Sequence, residues 1–212
     1  MYKKYVKRAL DLTLALVLSA ALMPLLLAIA LWIKLDSRGP VLFTQKRLGK
    51  DEKPFKIYKF RTMRKDAPRN VATSLMAGSS RYITRAGRLL RSTSLDELPQ
   101  LINIIRGDMS FVGFRPCLWN ERELDEERRR AGAYKVRPGI TGLAQIRGRD
   151  ELPPALKAEL DGAYARHVGF DYDMRIVTKT LFAVFYKEGY REGDGFDAHG
   201  EPIRKGRRSG AR

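Results

Sequence analysis

The sequence predicts an α/β, mostly α, membrane-associated domain: an N-terminal kinked helix, a small β-hairpin, and several helices packed on the membrane surface. Three observations predict it. Leu12 to Ile33 carries no charge yet holds Pro24 near its middle. Phe55 to Arg61 alternates apolar and basic residues, the mark of a half-buried strand. Later segments repeat apolar residues at helical spacing.

The first element is the uncharged run. At about 1.5 Å per residue it would reach roughly 33 Å as a straight helix, enough for the hydrocarbon core of a bilayer. It is longer than the apolar part of a signal peptide and no small-residue cleavage site follows, so it is expected to stay in the mature protein. Pro24 removes a backbone hydrogen bond and kinks the run. Lys3, Lys4, Lys7 and Arg8 precede it, and Lys34, Arg38, Lys46 and Arg47 follow. Because cations favour the cytoplasmic side, flanks basic at both ends leave a spanning orientation undecided. Two arrangements remain open: an ordinary signal-anchor helix, and a re-entrant helix bent at Pro24.

The next elements are short. Val41 to Arg47 reads as a strand, Leu48 to Asp51 as a turn, and Phe55 to Arg61 as the partner strand of a hairpin with a basic face. Asp66 to Ser80 is polar and irregular, a mobile loop. Ile83 to Arg91 reads as a helix with Arg85, Arg88 and Arg91 along one side. Ser94 to Arg106 reads as a second helix, ended by Gly107. Glu121 to Arg130 is a solvated, salt-bridged helix; Arg137 to Gly148 is a glycine-punctuated loop; Ala155 to Val168 and Met174 to Tyr186 are further helices. Gly200 to Arg212 has cations and no apolar period, a flexible tail suited to anionic headgroups. The expected division is an anchor over 1–36, a main domain over 37–190 and a basic tail over 191–212.

Charge narrows the function. Lys and Arg number 41 against 24 Asp and Glu, a formal net charge of +17, so the partner should be anionic: nucleic acid, acidic lipid or a phosphorylated substrate. The sequence holds no RNP, zinc-finger or recognition-helix signature, which speaks against nucleic acid. Cys117 is the only cysteine, so no internal disulfide forms. His167 and His199 have no neighbours at metal-ligand spacing.

The sharpest local signal is Ser94-Leu95-Asp96-Glu97-Leu98-Pro99-Gln100. Ser94 with Glu97 has the spacing of a capping box. A helix capped at Ser94 would, however, place Pro99 where a hydrogen bond is needed; a start near Asp96 puts Pro99 in the first turn, where it is tolerated. Asp96 and Glu97 would then sit side by side and diverge by roughly 100° about the axis. Two carboxylates aimed differently can divide the work of nucleophile and of metal ligand or base. Lys59, Arg61, Arg88, Arg91 and Arg115 supply cations for phosphate oxygens, and magnesium takes carboxylate and diphosphate oxygens. Such a set suits phosphoryl transfer, with an acyl-phosphate on a carboxylate nucleophile. Two loops, Gly113-Phe114-Arg115-Pro116 and Arg137-Pro138-Gly139-Ile140-Thr141-Gly142, add anion-meeting candidates in Arg115 and Arg137, or are turns that merely reverse the chain.

Together these segments resemble the bacterial polyprenyl-phosphate phosphoglycosyl transferases, the small monotopic initiating sugar transferases. The resemblance rests on Lys7-Arg8-Ala9-Leu10-Asp11, Lys34 to Gln45, Tyr58-Lys59-Phe60-Arg61-Thr62-Met63, Thr93 to Asn103, Gly107 to Gly113 and Arg137 to Gln145, in the family's order over residues 3–190. It implies a re-entrant anchor broken at Pro24. It also implies a ping-pong route in which Asp96 attacks the sugar-bearing phosphate of a UDP-sugar, expels UMP and passes the phosphosugar to a polyprenyl phosphate. It further implies Mg2+ near Asp96 and Glu97, and phosphate contacts from Arg115 and from the motif holding Arg137, Thr141 and Gln145. The implied place is the cytoplasmic face of the bacterial inner membrane. Membrane lipids are expected partners, a homodimer is admitted, and nucleic acid is not expected. Three positions depart from the family pattern: Phe114 where proline is usual, Met23 before the anchor proline, and Asp150 for asparagine. The competing class is a non-enzymatic membrane protein whose basic face binds anionic lipid or nucleic acid.

Overall fold

The computed structural model describes residues 1–68, 79–118, 120–148 and 152–185. A single π-helical turn, Tyr2–Val6, runs into α1 (Lys7–Ala21), and α2 (Met23–Asp36) comes after Leu22. The two axes bend by 63°. Pro24 sets the place: it has no N–H to donate and its ring cannot pass the carbonyl of Ala20, so the break falls at Leu22 and Pro24 enters the first turn of α2. Among the described residues no single helix is long and apolar enough to cross a membrane, whereas the bent pair meets that test when taken together. Leu10, Leu14, Val17, Leu27, Leu31 and Leu35 point outward, while Ala15, Ile29 and Ile33 are buried against the rest of the chain.

The hairpin pairs β1 (Leu42–Leu48) with β2 (Pro54–Phe60), antiparallel, with Leu42 opposite Phe60 and Leu48 opposite Pro54. Asn103 then acts as a substitute strand along β2. Its Oδ1 accepts from the Tyr58 amide at 3.0 Å and its Nδ2 donates to the Lys56 carbonyl at 2.7 Å. This satisfies backbone groups that would otherwise be left open at a sheet edge.

Thr84 caps α3 (Arg85–Ser92) by accepting from the Gly87 amide at 2.9 Å. The single helix expected from Ser94 to Arg106 is divided instead. Ser94 is left-handed, at φ 57° and ψ 14°, and makes no side-chain cap; Leu95–Glu97 form one 3-10 turn; and α4 covers only Gln100–Arg106. Pro99 decides this, because it cannot donate within a continuous helix and therefore stands just ahead of α4.

Two strands escape sequence reading. β3 (Ser110–Val112) pairs in parallel with β4 (Gly139–Thr141), across α5 (Arg122–Ala131). Each has three residues, too few to show alternation. Gly113 and Gly139 lie so close that a Cβ on either would strike the other's main chain. The expected loop from Arg137 thus contains β4 and a short helix, α6 (Leu143–Arg147).

The remaining helices are α7 (Pro154–Arg166) and α8 (Phe170–Phe185). The solvated reading of α5 needs correction at Arg128. That side chain is 3% exposed and donates from Nε and Nη2 to Asp161 Oδ2 on α7, at 2.9 and 2.7 Å. α8 begins ahead of the expected Met174, and Asp173 in its first turn gathers Tyr2, Lys7 and Tyr164. This ties the N-terminal turn to the C-terminal helix.

Four apolar clusters hold the described residues together, one of them Cys117, Leu124 and Ala158 between α5 and α7. Val112, Phe114, Tyr134, Tyr164 and Ile176 join β3 to α7 and α8. Ala15, Ile57, Leu101, Ile104 and Met109 join α1 to the hairpin and α4, and Ile29, Ile33, Phe60 and Leu90 join α2 to the hairpin and α3. The helix pair over 1–36 therefore shares its core with the hairpin, α3 and α4. Residues 69–78 of the expected mobile loop, Trp119, Asp150 and the tail lie outside the described residues.

Candidate active site

The 3-10 turn Leu95–Glu97 presents two carboxylates between α3 and α4. A left-handed Ser94 starts it and Pro99 ends it, so Asp96 and Glu97 are held on a tight turn and not inside a helix. Ser94 is the local strain: a non-glycine residue in this region costs on the order of 1 kcal/mol and is kept only where its surroundings demand it.

Three separate elements bring cations to that turn. Lys59 Nζ, from β2, donates to Glu97 Oε1 at 2.6 Å, and Arg115 Nη2, from the loop after β3, donates to the same oxygen at 3.1 Å. Arg91, on α3, acts on Asp96 through its charge while its Nε donates to Thr62 Oγ1 at 3.0 Å. The two acids are tuned apart. Burial pushes the Asp96 carboxyl above its ordinary value and Glu97 adds to the push, against the pull of Lys59, Arg91 and Arg115. Burial would raise Glu97 as well, but Arg115 and Lys59, by charge and by hydrogen bond, hold it well below the usual carboxylate range. Glu97 is thus the fixed anion of the pair. Asp96 takes no hydrogen bond from any described residue, which leaves its oxygens for another partner.

Arg115 is placed by what flanks it. Phe114, where the family pattern has proline, is fully buried, edge-on to Tyr134 with ring centres 5.3 Å apart, and Arg128 lies over its ring at 5.1 Å. Phe114 O accepts from the Gly139 amide at 2.8 Å. On the other side Pro116 O accepts from Arg47 Nη1 at 3.1 Å. The exposed guanidinium of Arg115 therefore rises from a backbone held on both sides.

The other expected contacts stand elsewhere. Arg61 is buried and puts its guanidinium to another use than a phosphate grip: Nη1 donates to Arg38 O at 2.8 Å and Nη2 to Ser37 O at 2.6 Å, closing the end of α2. Arg137 Nε donates to Gly107 O at 2.8 Å, beyond the end of α4. Thr141 shares a 2.6 Å hydrogen bond with Thr180 on α8, and Gln145 Nε2 donates to Ile140 O at 2.8 Å. Arg88 is exposed on α3, one turn before Arg91. Sequence reading missed Arg47, Asn103 and the Arg128–Asp161 pair. Only Arg47 carried a signal: with Gln45 it shares one face of β1 by the two-residue period, and Arg47 Nη2 donates to Gln45 Oε1 at 2.7 Å.

A magnesium ion suits this donor set. Among the described residues no group of three or more metal-binding side chains gathers, but magnesium needs only one or two carboxylates when substrate phosphates complete its shell. The hydrogen bonds from Lys59 and Arg115 both fall on Glu97 Oε1, and Asp96 is the neighbouring carboxylate in the chain.

The bacterial sugar transferase family matches residues 2–187. A Caulobacter vibrioides protein, a UDP-glucose:undecaprenyl-phosphate glucose-1-phosphate transferase, is 51% identical over 82% of this chain and 68% of its own length. An uncharacterized sugar transferase of Bacillus subtilis, EpsL, is 40% identical over 88% of this chain and 90% of its own. A UDP-glucose:undecaprenyl-phosphate glucose-1-phosphate transferase of Escherichia coli is 42% identical over 86% of this chain, which spans 40% of that longer relative. With nearly the whole described chain matched, and the carboxylate pair inside the match, this protein belongs to the bacterial sugar transferase family.

Proposed function

We propose that this protein moves a sugar-1-phosphate from a UDP-sugar to undecaprenyl phosphate, or a similar polyprenyl phosphate, and releases UMP. The reaction would be the first membrane step of polysaccharide assembly, at the cytoplasmic face of a bacterial inner membrane. The observation that carries it is Asp96, which takes no hydrogen bond from any described residue, beside an ionised Glu97 and within the charge of Lys59, Arg91 and Arg115. Lys59, Arg91 and Arg115 act on these two carboxylates from three separate elements, and such cations are what the oxygens of a diphosphate need.

In this reading an Asp96 carboxylate oxygen attacks the sugar-bearing phosphorus of the donor. A phosphorus–oxygen bond forms, the bond to the UMP oxygen breaks, and UMP leaves with that electron pair. The phosphate oxygen of the lipid carrier next attacks the same phosphorus and Asp96 is regained. Arg115 and Lys59 hold the phosphate oxygens, and Glu97 keeps both cations pointed at the turn. Mg2+, held by Asp96 and Glu97, would neutralise charge on the diphosphate. Arg88, one turn from Arg91, extends the cationic face toward the carrier phosphate. Arg137, Thr141 and Gln145 brace the β3–β4 unit from which Arg115 rises.

The bent helix pair supports an anchor that enters the membrane and returns to the same face. Its 63° bend, its outward leucines and its basic ends all suit that arrangement. The test is UMP release by detergent-purified protein with Mg2+, undecaprenyl phosphate and a panel of UDP-sugars headed by UDP-glucose, the donor of the Caulobacter relative. Carrier-dependent UMP release establishes the reaction. Salt-sensitive lipid binding with no UMP from any donor overturns it in favour of a binding protein.

A further inference from the structure

We propose that Arg47 is a positioning residue for the transfer: it fixes the segment that carries Arg115 and, as a second cation behind it, turns the Arg115 guanidinium toward the phosphate site. The inference rests on the reaction proposed above. Four observations carry it. Arg47 Nη1 donates to the carbonyl of Pro116, the residue after Arg115, at 3.1 Å. The main chain at Arg47 forms an antiparallel bridge with Leu118, so backbone and side chain grip the same short segment. Gln45, on the same face of β1, accepts from Arg47 Nη2 at 2.7 Å and holds the fork in place. Finally, Arg47 forms no ion pair among the described residues, and its Nε is buried without a partner.

A half-buried guanidinium with only neutral acceptors is costly, and it is costlier beside another cation. Burial lowers the hold of Arg47 on its proton and the charge of Arg115 lowers it further, against a smaller opposite pull from Glu121, Cys117 and Glu97, so the two cations oppose each other across Pro116. Arg115 relieves the repulsion by reaching outward, where it meets Glu97 Oε1 at 3.1 Å. A donor phosphate arriving there meets a cation already aimed at it. A misplacement of about 1 Å at such a group can cost on the order of a hundredfold in rate.

The experiment is a double-mutant cycle on UMP release from the UDP-sugar, with Arg47→Gln and Arg115→Gln singly and together, and a thermal melt of each protein. Arg47→Gln is expected to lower kcat/KM for the donor about tenfold when Arg115 is present and less than about twofold in the Arg115→Gln background. Arg47→Lys, which keeps the charge and the reach to Pro116, is expected to recover most of the loss. Should Arg47→Gln fail to melt cooperatively, the same cycle with Arg47→Met, which keeps the apolar stem and removes the charge and the donors, carries the test. An equal penalty in both backgrounds overturns the inference, because Arg47 would then act on something other than Arg115. Wild-type protein that releases no UMP from any donor overturns the reaction itself, a result distinct from an active enzyme with equal penalties.

Discussion

Two arginine–carboxylate contacts in this molecule look alike as distances and differ in every other respect. Arg128 and Asp161 meet at 2.7 Å with side chains 3% and 1% exposed. One cation balances one anion, two donors land on one oxygen, and Phe114 closes the guanidinium from above. Arg115 and Glu97 meet at 3.1 Å with side chains 43% and 15% exposed, and Lys59 adds a second cation to the same oxygen. Beside them Asp96 takes no hydrogen bond from any described residue. The first contact is closed and balanced, so it can only hold helices together. The second is more exposed and brings two cations to one carboxylate oxygen, the arrangement expected of a site that takes an anion from outside. Distance does not separate a structural ion pair from a binding site; charge balance and access do.

The largest test of that contrast is Asp96→Asn. If Asp96 is the nucleophile as proposed, carrier-dependent UMP release should fall by more than about a thousandfold. The same change should raise Tm. The sign comes from Asp96: burial raises its pKa in the folded state, so its charged form weakens the fold at neutral pH, and the strain is relieved as pH falls through the raised value. Glu97 behaves oppositely. Its lowered pKa contributes stability at neutral pH that is lost only as pH falls through the lowered value.

Next in size is Asp161→Asn, which leaves Arg128 buried without its anion. Chemical unfolding should show a loss of about 3–5 kcal/mol, and replacing both residues by apolar ones should recover most of it. Arg115→Gln should instead leave unfolding nearly unchanged while kcat/KM for the donor falls by about ten- to a hundredfold, the worth of a charge-assisted hydrogen bond. If breaking either pair costs stability alike, the contrast between the two fails. The smallest effect is a shift of the acid limb in the pH profile of kcat/KM. That limb should follow Asp96 and lie above the ordinary value of an aspartate. Lys59→Gln removes a charge that lowers the Asp96 pKa, so the limb should move to higher pH.

Much of the site is legible in the sequence because it is local. Asp96 and Glu97 are neighbours, and Pro99 beside them carries a conformational rule that holds in any fold. Even so, the rule acts on a different element from the one the sequence predicts: Pro99 stands ahead of α4, and the acids lie on a separate 3-10 turn. Lys59, Arg91 and Arg115 can be proposed as phosphate partners from charge alone, yet Arg61, two residues from Lys59, closes the end of α2 instead. The difference is one of strand register. Lys59 falls within β2, opposite Phe43, while Arg61 lies just past its end, against α2.

By itself the sequence determined the bend at Pro24, the hairpin, most of the helical segments, the positive charge and the pair of adjacent acids, but not the division of Ser94–Arg106 or the short helix α6. These depend on backbone rules and on residues close together in the chain. Only the tertiary structure decided which cations reach the pair, that Arg128 is buried with Asp161, that Arg47 stands behind Arg115, and that β3 pairs with β4. Each of these joins residues far apart in sequence, through contacts whose energy depends on burial and mutual geometry, and neither quantity is written in the order of the residues.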